Sequence, residues 1–322
     1  MGAAMTRDSG ARLGWIGVGR MGSVLAWRLL DAGYDVAVYN RTRAKAEALA
    51  EHGASVVKAP AELADRDVVF TMVGGSADFE DVVLGDGGLL SRDGAAPRVL
   101  VDSSTISSDA SERVRAAAAA RGTDLLAAPV SGNPKVAAAG RLTMAVSGPA
   151  DAFDEVRPYL DALAAGVTYV GEGDRARLVK ICHNLMLGIV AQTLAEITVL
   201  AEKGGVSRAD FLAFLNDSVM GSTFTRYKSP AYVNLDFSPT FTPPLLLKDF
   251  DLGFGAAREL EVPMPVAAAA REVVQALVGN GYTDVDFAAL IELQARAAGL
   301  DLASEDAHVP DGLAPAEPVS RP

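Results

Sequence analysis

The chain has 322 residues, half of them apolar and 22% charged, enough for two domains with substantial cores. Its net charge of −12 argues against nucleic acid or an anionic membrane surface as partner. One cysteine, Cys182, excludes an intramolecular disulfide, offers no metal cluster and fits a reducing, cytoplasmic setting.

Residues 1–11 are small and polar and read as a disordered leader without the apolar core of a signal peptide. The run Leu13 to Val18 then predicts a strand. It passes into Gly17-Val18-Gly19-Arg20-Met21-Gly22 and a helix through Leu29 and Leu30. In such a strand–turn–helix unit the first glycine makes the tight turn. The second admits a pyrophosphate and the third lets helix pack on strand. The helix N-terminus adds unpaired N–H groups and a partial positive charge.

The second strand, Asp35 to Tyr39, ends not in the acid that would bind an adenosine ribose 2′-hydroxyl but in Asn40-Arg41-Thr42. A guanidinium there can stack on adenine and hold a 2′-phosphate in a fork, with Asn40 and Thr42 as hydrogen-bonding neighbours. The cofactor expected is NADP(H) rather than NAD, although a merely solvated strand-end charge is the plainer reading of Arg41. Both NADP and a carboxylate substrate are anions. Against the acidic field, positive charge must be concentrated locally, and Arg20, Arg41, Lys180 and Lys248 are the candidates.

Further strands are expected at Ser55–Val57, Asp67–Val73, Val99–Ser103, Leu125–Pro129, Leu142–Val146 and Val167–Val170. Helices are expected at Arg43–Glu51, Ser108–Ala120 and Ala150–Leu163. Strands alternating with helices predict an α/β fold, a doubly wound, mostly parallel Rossmann-type domain over residues 12–173. From about Asp174 to Lys203 the periodicity predicts one long helix, stopped by Gly204-Gly205, which opens an all-α domain over 174–302. Its hydrophobic stretch Leu185 to Ala201 reads as a central buried helix, with Cys182 as a small packing residue. Gly188 within it suggests the close approach of a neighbouring backbone or ring. More helices are expected at Arg208–Leu215, Leu245–Glu259, Val266–Gly279 and Phe287–Ala298. The acidic, Pro-rich residues 303–322 read as a disordered tail.

Three segments could carry chemistry. Lys180 lies near the start of the long helix, with His183 and Asn184 three and four residues on, along one helical face. Reduction of a carbonyl by hydride needs a proton at the oxygen, and an ammonium can deliver it while stabilising the developing alkoxide. Spacing alone also suits a solvated lysine. Ala128-Pro129-Val130-Ser131-Gly132-Asn133 could form an anion-binding turn for a carboxylate, or a plain strand-ending turn. Asp102-Ser103-Ser104-Thr105 ends a strand at the carboxyl edge where open α/β sheets bind ligands.

With these residues the chain resembles the β-hydroxyacid dehydrogenases, the group of 3-hydroxyisobutyrate dehydrogenase and tartronate semialdehyde reductase. The shared motifs are Gly17, Gly19, Met21 and Gly22; Asn40-Arg41-Thr42; Asp102 to Thr105; Pro129 to Gly132; Lys180 with Asn184; and Lys248-Asp249. They span nearly all of Leu13 to Leu300. The resemblance implies a catalytic Lys180 and a substrate carboxylate held by Ser131 and Gly132, with Asn184 assisting. It implies that Val73, Thr105 and Lys248 border the nicotinamide half of the cofactor. Val18, Arg20 and Gly74 join them as expected cofactor-binding residues. It implies no metal, and a homodimer or homotetramer built through the helical domain.

Two departures from the family pattern stand out. Asn133-Pro134-Lys135 replaces a flexible stretch that normally holds a second glycine, and His183 stands where Asn is common. Either these residues accommodate a substrate more polar than 3-hydroxyisobutyrate, or both are neutral packing variants. The leading expectation is an NADP(H)-dependent interconversion of a small 3-hydroxy carboxylate and its semialdehyde or ketone. An imine reductase on the same fold competes with it, but Lys180 and Ser131 speak against that. A non-catalytic NADP-binding or scaffold module competes from another class, and should have lost the lysine or the carboxylate turn.

Overall fold

A computed structural model describes residues 10–313; most of the expected leader and the last nine residues of the expected tail lie outside the described residues. The chain divides into two compact units that meet between Lys180 and Ile181, inside the long helix and seven residues beyond the boundary expected at 173.

The first unit is built on strands β1 (Arg12–Ile16), β2 (Asp35–Tyr39), β3 (Ser55–Val56), β4 (Val68–Thr71), β5 (Val99–Asp102) and β6 (Asp124–Ala127). They form one parallel sheet in the order β3-β2-β1-β4-β5-β6. Strands β4 and β5 are buried at every position and β1 at all but its first residue, which is why they read as continuous apolar runs without alternation. The helices are α1 (Gly22–Asp31), α2 (Arg43–Ala50), α3 (Ser76–Leu84), α4 (Ser108–Ala119), α5 (Pro134–Ala138) and α6 (Ala150–Leu163). The strand order reverses direction between β1 and β4, so the carboxyl ends of these two strands flank the crevice where such sheets bind ligands.

Strands β7 (Val130–Ser131), β8 (Thr143–Val146) and β9 (Gly166–Tyr169) make a second, three-stranded sheet. Two of its strands were expected, but not a separate sheet. β7 runs antiparallel to β8, so the chain reverses through Gly132 and α5 before entering it, and an Ala127–Ser147 bridge links this region to β6.

Helix α7 (Arg175–Lys203) begins in the first unit and continues in the second. By length and composition it could cross a membrane, but half of its most apolar window is buried within the protein. It is not buried all round as expected: Cys182, Met186 and Leu200 are exposed.

The second unit adds α8 (Arg208–Asp217), α9 (Thr223–Asn234), α10 (Pro243–Glu259), α11 (Pro265–Gly279) and α12 (Leu290–Ala297) around a core that includes Tyr232, Phe250, Val274, Leu277 and Phe287. Helices α7 and α10 meet through a reciprocal pair of glycines. A Cβ on Gly188 would stand 2.5 Å from the Phe250 ring, and one on Gly253 would stand 2.7 Å from Leu185. Gly188→Ala is therefore expected to lose about 1–3 kcal/mol of stability by overpacking, outweighing alanine's better helix propensity of up to about 1 kcal/mol. A urea midpoint at or above that of the native chain would contradict this.

The stretch 303–313, expected to be disordered, lies along this unit. Arg208 is fully buried; its guanidinium donates to the Glu202 carboxylate at 2.7 Å, to the Val233 carbonyl at 2.8 Å and to the Ala303 carbonyl. The Glu305 carboxylate accepts from the backbone N–H of Arg208 at 2.7 Å and of Ala209 at 3.0 Å, at the start of α8. Asn234 bonds both backbone groups of Ala307. Composition alone concealed this, because bonds to Arg208 and Asn234, with Ala307 and Val309 packed against the core, supply the order that a run of large apolar residues usually supplies.

Candidate active site

The glycine turn in the first unit is set by sterics. Gly17 has φ of +95°, and a Cβ there would run into the Met72 carbonyl; a Cβ on Gly22 would run into the Gly17 carbonyl. Above Gly19 there is open space, so the backbone is approachable at the position where a pyrophosphate needs to come close. Beneath the turn the buried Trp15 donates its indole N–H to the Gly17 carbonyl at 3.0 Å. Val18, Arg20 and Met21 complete the turn into α1, whose first turn has no side-chain cap, although the Ser23 N–H donates to the Gly19 carbonyl at 2.9 Å.

A cleft of about 280 Å³ opens between this turn, the end of β2 and the end of β4. Its lining includes Gly17, Gly19, Arg41, Thr42, Val73 and Gly74, so most of the expected cofactor residues converge. Asn40 also lines it, but its side chain is internally committed. Its Oδ1 accepts from the Val18 N–H at 3.0 Å, and its Nδ2 donates to the Thr42 carbonyl at 2.9 Å. Asn40 thus ties the glycine turn to the strand tip. Arg41 is 85% exposed and pairs with Asp78 at 3.1 Å. The cradle of glycines, the open face at Gly19 and the cation at the strand tip fit a dinucleotide.

At the end of β5, Asp102 is fully buried and accepts from Thr71 Oγ1 at 2.6 Å and from the Ser104 N–H at 3.2 Å. Ser104 Oγ in turn accepts from the Val73 N–H at 2.9 Å, which fixes the backbone at the mouth of the cleft. Sequence reasoning missed the residue that completes this network. Arg177, 5% exposed on the first turns of α7, donates to Asp102 Oδ2 at 2.8 Å, to the Ser104 carbonyl at 2.9 Å, and to Ser111 and Asp174 at 3.1 Å each. A buried guanidinium with all its directions used pins the start of α7 to the carboxyl end of the sheet. The half-buried Lys180 follows one helical turn later.

Ser131 closes β7, and Gly132 follows with φ of +132°; a Cβ there would stand 2.6 Å from Leu142 and 2.9 Å from Val136. Both the backbone twist and the packing demand glycine at this bend. Asn133 caps α5, its Oδ1 accepting from the Val136 N–H at 3.0 Å. Thr105 follows the network at Ser104, outside the lining given above.

In the second unit Asn184 is buried on α7, and its Nδ2 donates to Asp249 Oδ2 on α10 at 2.5 Å. The same amide's Oδ1 lies 2.9 Å from Nδ1 of His183, so Nδ1 carries the hydrogen. His183 therefore helps hold Asn184, and Lys248 precedes Asp249 on α10.

Residues 12–171 match the NAD binding domain of 6-phosphogluconate dehydrogenase, and residues 174–294 match the NAD-binding domain of NADP-dependent 3-hydroxyisobutyrate dehydrogenase. Glyoxylate/succinic semialdehyde reductase 1 of Arabidopsis thaliana is 32% identical over 87% of this chain and 97% of its own. The 3-hydroxyisobutyrate dehydrogenase of Pseudomonas aeruginosa is 31% identical, over 87% of this chain and 97% of its own. Among solved structures, Psf3 in complex with NADP+ and 2-OPP is 28% identical with a TM-score of 0.78, covering 87% of this chain and 99% of that one. A Rossmann-type NAD(P)-binding unit followed by an all-helical unit, matched along nearly its whole length to oxidoreductases of hydroxy acids and their carbonyl partners, makes this chain a CH–OH oxidoreductase that belongs to the β-hydroxyacid dehydrogenase family.

Proposed function

We propose that the chain is an NADP(H)-dependent enzyme interconverting a small 3-hydroxy carboxylate and its semialdehyde or ketone, with Lys180 as general acid in reduction and general base in oxidation. The observation that carries this reading is the Arg177–Asp102 anchor, which fixes the helix bearing Lys180 to the ligand-binding edge of the sheet. When bound, the nicotinamide supplies or accepts the hydride. The protein's part is positional and electrostatic. Lys180 protonates the carbonyl oxygen as it gains charge and takes the proton back in the reverse direction. The Ser131 hydroxyl and the backbone at Gly132 hold the substrate carboxylate, and Asn184, fixed by Asp249 and His183, orients the substrate.

The cofactor choice rests on Arg41 standing where an acid would repel a 2′-phosphate, and the NADP+ bound by Psf3 supports it. Arg41→Asp is expected to lower the NADP+ over NAD+ preference by tenfold or more, from the loss of charge-assisted hydrogen bonds contributing about 1.5–3 kcal/mol each. Unchanged selectivity in steady-state kinetics would place discrimination elsewhere. We further propose a cytoplasmic homodimer or homotetramer assembled through the helical unit, without nucleic-acid or membrane partners. The apolar Met186, Leu200 and Phe214 that this unit leaves exposed support the assembly. A screen of NADPH oxidation and NADP+ reduction at 340 nm against 3-hydroxy acids, semialdehydes and cyclic imines tests the whole reading. Turnover of imines with none of hydroxy acids would refute it.

A further inference from the structure

The strand that should supply an acid to the nucleotide cleft does not, yet a carboxylate reaches the cleft from another element. Asp78, in the first turn of α3, places Oδ1 3.1 Å from Nη1 of Arg41, and both residues line the cleft. Its Oδ2 lies over Gly74, 2.7 Å from where a Cβ would stand, so glycine at 74 leaves room for the carboxylate inside the cleft.

We propose that Asp78 is a specificity-determining residue for the cofactor: it competes with the 2′-phosphate for Arg41 and so sets how strongly the chain favours NADP over NAD. The inference rests on the reading of Arg41 as the 2′-phosphate ligand. A carboxylate at 3.1 Å occupies one donor of the guanidinium and offsets its charge. An incoming 2′-phosphate must share or displace that partner, and it also meets a like charge. An unphosphorylated ribose carries no charge and is nearly indifferent to either effect. Asp78 therefore lowers the affinity for NADP without a matching effect on NAD. Because the two side chains are 85% and 42% exposed, solvent screens the competition, and the effect is severalfold rather than thousandfold.

The test is calorimetric titration of the full chain at fixed ionic strength with NADP+, NAD+, 2′,5′-ADP and 5′-AMP. Asp78→Asn keeps the side chain's shape and removes its charge. It is expected to tighten NADP+ and 2′,5′-ADP about three- to tenfold, while NAD+ and 5′-AMP move less than about twofold. In an Arg41→Ala background the gain from Asp78→Asn should shrink, because the contested group is gone and only the direct repulsion between carboxylate and phosphate remains. Equal tightening of all four ligands, or a gain that survives intact without Arg41, would overturn the competition. Native protein that binds NAD+ more tightly than NADP+ would overturn the NADP reading instead; selective tightening of NADP+ by Asp78→Asn would uphold the role of Asp78 even then.

Discussion

Lys180→Ala is expected to lower turnover by about a hundred- to ten-thousandfold while NADPH affinity stays within about twofold of native. Lys180 sits one helical turn beyond Arg177, whose guanidinium is tied to Asp102, Ser104, Ser111 and Asp174. The backbone that presents the ammonium is therefore held from below by four partners that do not include Lys180. Removing the amine should leave that anchor and the glycine cradle intact, so cofactor binding and melting temperature serve as internal controls. Lys180→Arg separates the two contributions of the amine. Arginine keeps a positive charge to stabilise an alkoxide but gives up no proton at accessible pH. It should remain severely impaired, with whatever rate survives losing the pH dependence that the lysine imposes. Retention of most of the native rate in Lys180→Ala would remove the proposed acid and base.

The largest stability effect is expected at Lys228→Met in the second unit. Lys228 and Asp286 form a buried ion pair, 4% and 2% exposed, with the ammonium 2.5 Å from Asp286 Oδ1 and 4.2 Å from the centroid of the Phe287 ring. Asp286 Oδ2 accepts from Thr240 Oγ1 at 2.6 Å, and its Oδ1 from the Ala288 N–H at 2.9 Å. Burial pushes the Asp286 carboxyl up, but the neighbouring Lys228 charge and these hydrogen bonds outweigh it and hold the carboxyl below its usual range. Removing the ammonium strands a buried carboxylate, and a loss of about 3–5 kcal/mol is expected in urea unfolding at neutral pH. The sign of the pH dependence follows from the depressed carboxyl. In the native chain its contribution is fully present above the unfolded carboxylate value of about 3.9 and is lost as pH falls through the folded value. In Lys228→Met the carboxyl no longer has the opposing charge, so protonation relieves the variant and its deficit narrows on acidification. Lys228→Met/Asp286→Asn should recover part of the loss. A single variant within about 1 kcal/mol of native would show that the pair is not what holds this corner together.

The parts of the site legible in the sequence were those where one residue type is sterically or electrostatically forced. Gly17 and Gly22 can carry no side chain against the Met72 and Gly17 carbonyls. Gly132 is required by both its φ and its neighbours, and Gly188 by the Phe250 ring. Arg41 announced itself by replacing an expected acid. What stayed hidden depends on partners distant in sequence. Arg177 and Asp78 are ordinary helix charges until folding brings Asp102 and Arg41 beside them. The Asn40 side chain bonds the Val18 N–H and the Thr42 carbonyl, and Asn133 Oδ1 caps α5, roles that only the folded backbone reveals. Helices α3 and α9 were overlooked, and so was α5, which has only five residues. The main sheet was readable from buried apolar runs; the smaller sheet was not, because β7 has only two residues.

The buried Arg208 has a consequence for where the folding unit stops. The matched family region ends at residue 294, yet the Ala303 carbonyl that accepts from that guanidinium and the Glu305 carboxylate that pairs with it at 3.8 Å lie beyond it. Trimming the polypeptide at the homology border would leave a cation sealed in the interior with part of its shell cut away, at a cost far larger than the modest composition of those last residues suggests. The strap formed by residues 303–313 is thus a structural member of the helical unit, although these described residues contain no helix.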